Sequence, residues 1–443
     1  MAGRKRAKRS SVKKTDILII GAGLTGLSCA FKLEKKRADY LLAEKENWAG
    51  GLARSFRKDG FTFDYSGHLL HLRWPETSKF ILDSLGKNAK PLKRKARIYS
   101  SGKFTAYPFQ MNLKGLPAKV RSECVEGFLK ARRAFPEVKA ENFRDWCLQT
   151  FGKGISKHFF FPYNAKLWNY PLEKLSTDWM GQFVPVPKTE EVLYGAYKDD
   201  VKGAGYNHDF YYPETGGINA LPAAIASGVE RLSLDSELIS LNAANKTARL
   251  RNLGNVRYKK LLSTIPLKYL AEKVEKAPET VRKNAELLEH NQVYILNLGV
   301  RKCPLPQHWI YFPEKEFVFY RAGVYTNFSP SSAPRGFSSL YVETASKSGE
   351  FIDLKKAEGR IVKNLVSIGA VKDEDDILTS MWLKVPCAYV IYNEARKKAL
   401  PELLSWFEKR GISSAGRYGA WKYSFMEESV KEGFETAEKL LKR

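Results

Sequence analysis

The sequence predicts an α/β protein in which a Rossmann-like dinucleotide-binding domain carries a mostly helical insertion and an antiparallel β-sheet domain. Three observations support this fold class. Residues 16–44 read as strand, glycine turn, helix and strand; residues 113–160 are rich in helix formers; and residues 293–344 hold short apolar runs separated by turns. A chain of 443 residues is long enough for two or three hydrophobic cores.

The dinucleotide-binding prediction rests on the first strand and the turn after it. The apolar run 17–20 precedes a G-x-G-x-x-G pattern of Gly21, Gly23 and Gly26. In this pattern the first glycine permits the turn, the second lets backbone approach a pyrophosphate, and the third allows close packing of helix on strand. Glu44, which closes the second strand, suits a hydrogen bond to a ribose hydroxyl. The alternative is a glycine-rich turn without a ligand, and the complete spacing favours the dinucleotide.

A second glycine-rich segment predicts another contact with the dinucleotide. Gly50–Gly51 and Arg54, in the run GGLARS, suit a further pass of backbone along the cofactor. The strand-like run 61–64 then leads into a small-residue turn that carries His68 and His71. Both a buried structural histidine and a cofactor contact stay open for His68.

Composition narrows the class of protein. No run of about 18 apolar residues exists, so no membrane-spanning helix is expected. The basic N-terminus before an apolar stretch imitates a signal peptide, but the fingerprint glycines interrupt that stretch, and we interpret it as the first strand and helix. The five cysteines and six histidines lack disulfide or metal spacing, so we expect no metal site and a cytoplasmic location.

The charge balance is strongly basic. The formal net charge is +26, and seven of the positive charges lie between Arg4 and Lys14. We expect residues 1–14 to form a disordered basic tail, with a weak contact to an anionic surface as the alternative. No nucleic-acid motif accompanies the tail, so no specific nucleic-acid partner is expected. The remaining excess of charge suits polyanionic small ligands such as nucleotide diphosphates.

The middle of the chain reads as the helical insertion. Residues 142–160 predict a helix interrupted by Gly152 and Gly154. The aromatic-rich segment 159–168 suits either a packed hinge between domains or the stacking of a ring-shaped ligand.

The C-terminal region predicts a glycine turn followed by a helix. Residues 416–419 form the turn, and the predicted apolar face of the helix consists of Val430, Phe434, Ala437 and Leu441. We interpret the turn as a second anion-accepting helix N-terminus, rather than as part of a helix that only closes the core.

These segments give a predicted division of the chain into a tail and three domains. The ranges are the tail at 1–14, a discontinuous dinucleotide-binding domain at 15–105 with 205–290 and 385–443, a helical substrate domain at 106–204, and an antiparallel sheet domain at 291–384.

Several motifs, taken together, resemble the UDP-galactopyranose mutases, especially their eukaryotic-type branch. That family lies within the superfamily of FAD-dependent amine-oxidase-like and protoporphyrinogen-oxidase-like proteins. The matching stretches, in chain order, are GAGLTGLSCAF, GGLARS, GHLLH, YPFQ (107–110), FFFPYNAKLW, GGINAL, HWIYFPE (308–314), FYRAGVYTNFSP (319–330) and GRYGAWKY.

The resemblance implies FAD as the dinucleotide and a sugar-nucleotide mutase as the activity. Such an enzyme interconverts pyranose and furanose forms of UDP-galactose or a related nucleotide sugar. The nucleophile is N5 of the reduced flavin, which attacks the anomeric carbon without net redox change. NAD(P)H or another reductant would supply the reduced form. The family also implies a role in cell-surface polysaccharide biosynthesis, and a homo-oligomer stays open.

Carried over by motif, the resemblance assigns site residues. The catalytic set is His68, Arg321, Tyr389 and Tyr423. The cofactor set is Gly21, Gly23, Leu24, Thr25, Gly26, Glu44, Lys45, Gly51, Leu52, Ala53, Arg54, His68, Arg417 and Tyr423. The substrate set is Tyr107, Gln110, Asn164, Trp168, Asn207, Trp309, Tyr311, Arg321, Tyr389 and Tyr423.

The sequence departs from the family pattern around the diphosphate. Phe183 stands where the family has a second diphosphate arginine, and Phe328 replaces a tyrosine. An arginine–phosphate hydrogen bond contributes ~1.5–3 kcal/mol, so the first change weakens binding roughly tenfold to a hundredfold unless Lys166 or Lys188 substitutes. Residues 388–392 lack the prolines of a Y-P-x-P motif, and 425–428 replace a polar N-Q-D-H run.

Two other functions remain open at this point. An FAD-dependent oxidoreductase of the amine-oxidase or protoporphyrinogen-oxidase type would share the fingerprint and GGLARS, and it would explain the missing arginine. A non-catalytic protein that keeps FAD for its structure, with the basic tail docking to a membrane or nucleic acid, is the third reading.

Overall fold

The computed structural model describes residues 12–180, 184–198 and 209–442. Most of the predicted tail therefore lies outside the described residues, and the first strand already begins at Lys13. The described helices are α1 (Leu24–Lys35), α2 (Pro75–Leu85), α3 (Ala118–Ala134), α4 (Phe143–Ile155), α5 (Phe161–Trp168), α6 (Thr189–Tyr197), α7 (Ala220–Ala226), α8 (Leu267–Glu272), α9 (Glu279–Glu286), α10 (Leu354–Ser367), α11 (Glu394–Glu408), α12 (Gly416–Gly419) and α13 (Met426–Leu441).

The strands fall into two large sheets and two small ones. The described strands are β1 (Lys13–Ile20), β2 (Tyr40–Ala43), β3 (Ser55–Lys58), β4 (Phe61–Asp64), β5 (Ala89–Lys93), β6 (Ala96–Ser100), β7 (Lys103–Ala106), β8 (Asp209–Pro213), β9 (Leu232–Ser233), β10 (Leu238–Asn242), β11 (Thr247–Leu250), β12 (Gly254–Ser263), β13 (Asn291–Val300), β14 (Trp309–Tyr311), β15 (Arg321–Val324), β16 (Ser338–Lys347), β17 (Ile377–Val385) and β18 (Ile412–Ser414).

The first sheet has the order β10-β11-β12-β1-β2-β9, with β18 pairing β12. Its centre is parallel, and β1 is hydrogen-bonded to β12 on one side and β2 on the other. Ile17 and Ile19 point into a core with α1 and α13, whereas Leu18 and Ile20 point into a core with α8, α9 and α11. Because both faces are covered by helices, this sheet has the layered form that the sequence predicted.

The second sheet has the order β17-β13-β16-β15-β14-β6-β7 and is antiparallel except for the β14–β6 pair. Helix α10 covers one face through Ile361 and Leu365. Residues 96–106 belong to this sheet, although the predicted boundary put them with the dinucleotide-binding segment up to 105. The difference arises because β6 pairs with a strand more than 200 residues away, which no local pattern reveals.

The helical insertion is built on the close approach of α3 and α4. A Cβ on Gly152 would lie 2.0 Å from the Gly127 carbonyl oxygen, and a Cβ on Gly154 would lie 2.0 Å from that of Glu123. Gly152 also has φ +74°, so the predicted interruption is a kink inside α4. These glycines therefore set the packing distance of the two helices.

At the C-terminus, α13 buries Val430, Phe434 and Ala437 as predicted. Leu441 is 39% exposed, while Leu440 takes the core position at 6%. The prediction for Leu441 was wrong, because the side chain buried in the last turn belongs to the preceding residue.

Candidate functional site

The turn between β1 and α1 has the geometry of a pyrophosphate cradle. Gly21 has φ +98°, and a Cβ on Gly26 would lie 1.9 Å from the Gly21 carbonyl oxygen, so the turn and the helix meet only without side chains. Helix α1 begins after Gly23 without a side-chain cap or an acidic residue in its first turn. No side chain of that turn therefore accepts a hydrogen bond from the first N–H groups of α1, at Leu24 and Thr25, and these groups can bind an anion.

Glu44 lies at the end of β2, where the sequence predicted a ribose contact. Its carboxylate is buried and accepts hydrogen bonds from the Ala22 N–H at 2.7 Å and the Glu46 N–H at 3.0 Å. These bonds fix the carboxylate beside the glycine turn, and each oxygen can accept another hydrogen bond. Lys45 is exposed and pairs with Glu46 at 3.3 Å, and its cofactor contact stays a prediction.

The GGLARS segment runs directly beside the glycine turn. Gly50 donates to the Ala22 carbonyl at 2.8 Å, and a Cβ on Gly51 would lie 3.2 Å from the Gly23 Cα. The half-buried Leu52 and the buried Ala53 follow in the same loop. The structure thus brings the two predicted backbone passes together.

Arg54 is held in an aromatic enclosure at the end of this loop. Its guanidinium lies 3.8 Å from the centre of the Trp48 ring and 4.7 Å from that of Phe56. The residue is 8% exposed, and Nε has no hydrogen-bond partner within the described residues. Desolvation by burial lowers the Arg54 pKa. A buried, partly unsatisfied cation next to a phosphate cradle fits an anionic cofactor.

His68 occupies the turn after β4 and faces two arginines. Burial lowers its pKa to about 4, and the charges of Arg321 and Arg417 contribute in the same direction. The His68 Nδ1 lies 3.9 Å from the Asp64 carboxylate and has no hydrogen-bond partner among the described groups. The lowered pKa favours a neutral imidazole at pH 7, whose Nδ1 can take part in a hydrogen bond to a ligand.

Asp64 is the buried support of that turn. Its carboxylate accepts from the hydroxyls of Ser55 at 2.6 Å and Tyr212 at 2.7 Å, and from the Ile218 N–H at 3.3 Å. Burial raises the Asp64 pKa to about 6 against the opposing effect of these bonds. The GGINAL segment is thereby fixed to β4.

Arg321 enters the site from β15 and is oriented by Glu343 of β16. Its Nε and Nη2 donate to the two carboxylate oxygens at 2.9 and 2.8 Å, a bidentate pair. The Glu343 side chain is 1% exposed and also accepts from the Ser66 hydroxyl. Sequence reasoning missed Glu343; the signal was a single acid within an otherwise apolar and small-residue strand.

Arg417 lies against the two tyrosines that the resemblance assigned to the diphosphate. Its guanidinium is 4.9 Å from the Tyr423 ring centre and 5.5 Å from that of Tyr389, and the two rings stack at 6.2 Å. Its described hydrogen bonds go to the carbonyl oxygens of Ser424 and Ala388. Neighbouring tyrosines and no acid shape its electrostatics, and its pKa remains raised despite burial.

The predicted anion site at the 416–419 turn is taken by an internal carboxylate. The Gly416 N–H donates to Glu432 of α13 at 2.7 Å, and Lys422 pairs with the same carboxylate. This interaction satisfies the amide, so the turn closes the C-terminal helix onto the fold. The interpretation of the turn as a second ligand-binding N-terminus was wrong for this amide.

Aromatic residues predicted for the nucleotide are brought together beside β14 of the second sheet. Tyr107 stacks on Tyr311 with ring centres 5.2 Å apart, and the Arg94 guanidinium lies 4.8 Å from the Tyr107 ring. Trp309 is buried two residues before Tyr311 on the same face of β14. Burial raises the pKa of both tyrosines.

The predicted substrate set contains three residues with side-chain amides, and the two that the structure describes bind other groups of the protein. The Asn164 side chain donates to the Phe160 carbonyl and accepts from the Trp168 indole N–H at 3.2 Å, which fixes the Trp168 ring 5.7 Å from Tyr389. Gln110 is buried and donates to the Pro185 carbonyl at 2.7 Å. Asn207 lies outside the described residues. The first two therefore position neighbouring groups within the protein.

Lys166 is not a replacement for the missing family arginine. Its ammonium donates to the carbonyl oxygens of Glu314, Phe317 and Phe319 at 2.9, 3.0 and 2.7 Å. These bonds tie α5 to the loop before Arg321 and use all three N–H groups. Lys188 is exposed at the start of α6, and Phe183 lies outside the described residues.

Phe328, which replaces the family's tyrosine, is buried among aromatic rings. The side chain is 4% exposed, and its ring centre lies 4.9 Å from His308 and 5.3 Å from Tyr212. The ring is nearly parallel to Trp309, at 16°. The structure thus places an apolar surface behind Trp309.

The comparisons with known proteins agree with this geometry. The family model for flavin containing amine oxidoreductases matches residues 24–441, so the chain belongs to that family. Reduced UDP-galactopyranose mutase, known from a crystal structure, superposes with a TM-score of 0.92 at 27% identity and covers 96% of this chain and 95% of that chain. The resemblance predicted from the motifs is confirmed, and so is the fold class.

More distant similarities are found to a solved structure and to a curated sequence. Putrescine oxidase bound to putrescine superposes with a TM-score of 0.67 at 14% identity, covering 98% of this chain and 100% of that chain. A 4,4'-diapophytoene desaturase from Staphylococcus haemolyticus is 36% identical over 93 residues, which are 20% of this chain and 18% of the relative. The chain thus matches less than a fifth of that curated relative.

FAD is the cofactor of this family, and the residues of this chain fit it. The cradle between Gly21 and Gly26, the Glu44 carboxylate and the backbone of Gly50–Gly51 meet at one edge of the parallel sheet. Strands β1 and β2 both end at that edge, which is where this fold binds dinucleotides. Among the described residues, no helix is long and apolar enough to span a membrane.

Proposed function

We propose that this protein is a flavin-dependent sugar-nucleotide mutase that interconverts the pyranose and furanose forms of UDP-galactose or a related nucleotide sugar. The observation that carries the proposal is the cluster of the Tyr107–Tyr311 stack, Arg321, which pairs with Tyr311 across β14 and β15, and the Tyr389–Tyr423 pair, whose Tyr389 is close enough for the Arg321 charge to act on its pKa. The similarity to UDP-galactopyranose mutase over nearly the whole chain supports it.

Different residues of the cluster would contact the base, the diphosphate and the sugar of the ligand. The Tyr107–Tyr311 rings offer a flat aromatic surface to a base. Arg321 keeps two N–H donors beyond its bonds to Glu343 and Ser66, and the hydroxyls of Tyr389 and Tyr423 would join it in binding a diphosphate. The neutral His68 imidazole would face the sugar and the cofactor.

Chemistry at the anomeric carbon needs a nucleophile. Burial raises the pKa of Tyr107, Tyr311 and Tyr389, so these hydroxyls stay protonated and are poor nucleophiles. Burial raises the Tyr389 pKa to about 12, so this hydroxyl stays protonated and can donate to phosphate. When bound, reduced FAD supplies the nucleophilic N5. The protein's part is to orient the sugar, bind the diphosphate as it leaves and returns, and exclude water.

An FAD-dependent oxidoreductase of the amine-oxidase or protoporphyrinogen-oxidase type is the second candidate. The buried Phe328 favours it, because an apolar ring stands where the mutases have a tyrosine. The ion pair of Arg321 with Glu343 also reduces the positive charge available to an anion. An apolar or cationic substrate would suit these two features.

A binding experiment separates the two candidates. UDP is titrated into the purified flavoprotein by calorimetry, and oxygen consumption is measured with amines and polycyclic substrates. The mutase proposal predicts saturable one-site UDP binding and no substrate-dependent oxygen uptake. Absence of UDP binding at millimolar UDP, together with oxygen uptake, would reject it in favour of the oxidoreductase.

A further inference from the structure

We propose that Asn291 is a positioning residue of the nucleotide-sugar site, because its buried side chain joins Trp168 of the helical insertion to Tyr389 of the loop after β17. This inference rests on the proposed function, since it takes UDP as a ligand and the Tyr389 hydroxyl as one of the groups that bind the diphosphate.

Asn291 begins β13, and its side chain faces the hydrophobic core that contains Trp168. Val293 and Ile295, which follow Asn291 at alternate positions of the strand, belong to that core. Asn291 itself is 2% exposed. A polar side chain buried this deeply is stable only when hydrogen bonds within the protein replace its contacts with water.

The amide nitrogen of Asn291 binds the end of helix α5. Its Nδ2 donates to the carbonyl oxygens of Leu167 and Trp168 at 2.8 and 3.2 Å. The last carbonyl groups of a helix have no partner within it, so these two bonds satisfy acceptors that the helix leaves open. They also fix the backbone of Trp168, whose ring lies 5.7 Å from that of Tyr389.

The amide oxygen of the same side chain binds the segment that carries Tyr389. Its Oδ1 accepts a hydrogen bond from the Tyr389 N–H at 2.9 Å. The backbone of Asn291 adds two bonds of 3.0 Å, one to the Tyr389 carbonyl and one from the Ala388 N–H. Because both ends of the amide group are used, one side chain sets the placement of Tyr389 relative to Trp168.

Other polar contacts hold the same two segments together independently of Asn291. The Ser176 N–H donates to the Tyr392 carbonyl at 2.8 Å, and the Asn393 side chain donates to the Tyr170 hydroxyl at 3.1 Å. We therefore expect a substitution of Asn291 to displace the Tyr389 backbone locally, while the helical insertion stays attached.

Gln292, the next residue along β13, supplies a matched control. It is also 2% exposed, and its amide donates to the Ser346 hydroxyl at 2.9 Å and to the Glu350 carbonyl. Because neighbouring side chains of a strand point to opposite faces, these bonds lie on the side of the sheet away from Trp168. Asn291→Leu and Gln292→Met each replace a buried amide by an apolar group of similar shape, so a general loss of stability appears in both.

The test measures the dissociation constant of UDP by calorimetry on the purified flavoprotein, with the flavin content as the measure of folding. Asn291→Leu should raise the dissociation constant about tenfold, as expected when a hydrogen bond to a charged group is weakened, and Gln292→Met should change it by about twofold or less. Asn291→Ala, which leaves room for water at the freed carbonyl groups, should act in the same direction and guards against misfolding of Asn291→Leu. Equal dissociation constants in the Asn291 variants and in Gln292→Met would overturn the inference.

A double-mutant cycle shows whether Asn291 acts through Tyr389. In the Tyr389→Phe background the hydroxyl is already absent, so Asn291→Leu should raise the dissociation constant by about threefold or less instead of about tenfold. The same factor in both backgrounds would overturn positioning through Tyr389 and leave the proposed function intact. Absence of UDP binding to the unmodified protein would overturn the proposed function, and the inference with it.

Discussion

Arg321 and Glu343 form a bidentate ion pair across neighbouring strands, with hydrogen bonds of 2.9 and 2.8 Å. The two residues are direct partners in the β15–β16 ladder, so the backbone register sets their separation. The Glu343 carboxylate is 1% exposed, whereas the Arg321 side chain is 23% exposed. One side of the guanidinium is therefore fixed by the protein, and the other side remains open to a ligand.

Removal of Glu343 should destabilise the protein. Glu343→Ala leaves the guanidinium in a buried site without its carboxylate, and breaking such a pair costs about 3–5 kcal/mol. We expect a loss of that size in the free energy of unfolding, measured by urea denaturation. Glu343→Gln keeps one acceptor and should lose less. A loss below about 1 kcal/mol for Glu343→Ala would show that the pair does not hold the site together.

Tyr389→Phe should weaken UDP binding without a change in stability. The described contacts give its hydroxyl no hydrogen-bond partner in the protein, while its ring packs on Trp168 and Tyr423. Loss of one hydrogen bond to the charged diphosphate costs about 1.5–3 kcal/mol, so the dissociation constant measured by calorimetry should rise roughly tenfold to a hundredfold. An unchanged dissociation constant would exclude Tyr389 from the diphosphate site.

Gly26→Ala should abolish FAD binding. A Cβ at this position would lie 1.9 Å from the Gly21 carbonyl, so helix α1 would have to move away from the cradle. The flavin content of the purified protein, measured by its visible absorbance, should fall to near zero.

The control is Gly359→Ala, in the middle of α10, where no atom lies within 4 Å of the added Cβ. That change should keep full flavin content and stabilise the protein by up to about 1 kcal/mol, because alanine is the better helix former. Normal flavin content in Gly26→Ala would contradict the role assigned to the turn.

Stability should fall between pH 7 and pH 5 because of buried neutral histidines. Burial lowers the pKa of His71 and of His308 to about 4 each. Their pKa is higher in the unfolded chain, so the unfolded state takes up protons first as the pH falls. Their stabilising effect is complete above about pH 6.5 and is lost towards pH 4.

Each of these histidines should account for a loss of about 2 kcal/mol between pH 7 and pH 5. Asp64 acts in the opposite direction, since burial raises its pKa to about 6 and it favours the folded state as the pH falls below that value. Urea denaturation at both pH values should show a smaller pH-dependent loss for His308→Gln than for the unmodified protein. An identical loss would contradict the assignment.

The parts of the structure that follow from local rules were predicted from the sequence. The cradle from Gly21 to Gly26 and the position of Glu44 depend on the spacing within one strand–turn–helix unit, and the structure brings them together. The interruption of α4 was also predicted, because Gly152 has φ +74° and this conformation favours glycine.

The parts that depend on distant pairing were not predictable. Glu343 became visible only through the register of β15 with β16, and β6 joined the second sheet through a pairing with β14. Lys166 was a candidate for binding phosphate until the fold showed three carbonyl oxygens around its ammonium. In the same way, the Gly416 amide was expected to bind a ligand anion. Its acceptor in the structure is the Glu432 carboxylate, which belongs to helix α13.

The most direct test of the proposed function is chromatography of nucleotide sugars incubated with the protein. UDP-galactofuranose is mixed with dithionite-reduced flavoprotein, and the pyranose and furanose forms are separated over time. The account predicts conversion to UDP-galactopyranose by the reduced protein, little or none by the oxidised protein, and no net consumption of reductant. If neither redox form interconverts the furanose and pyranose forms of any UDP- or dTDP-hexose, the protein is not a sugar-nucleotide mutase.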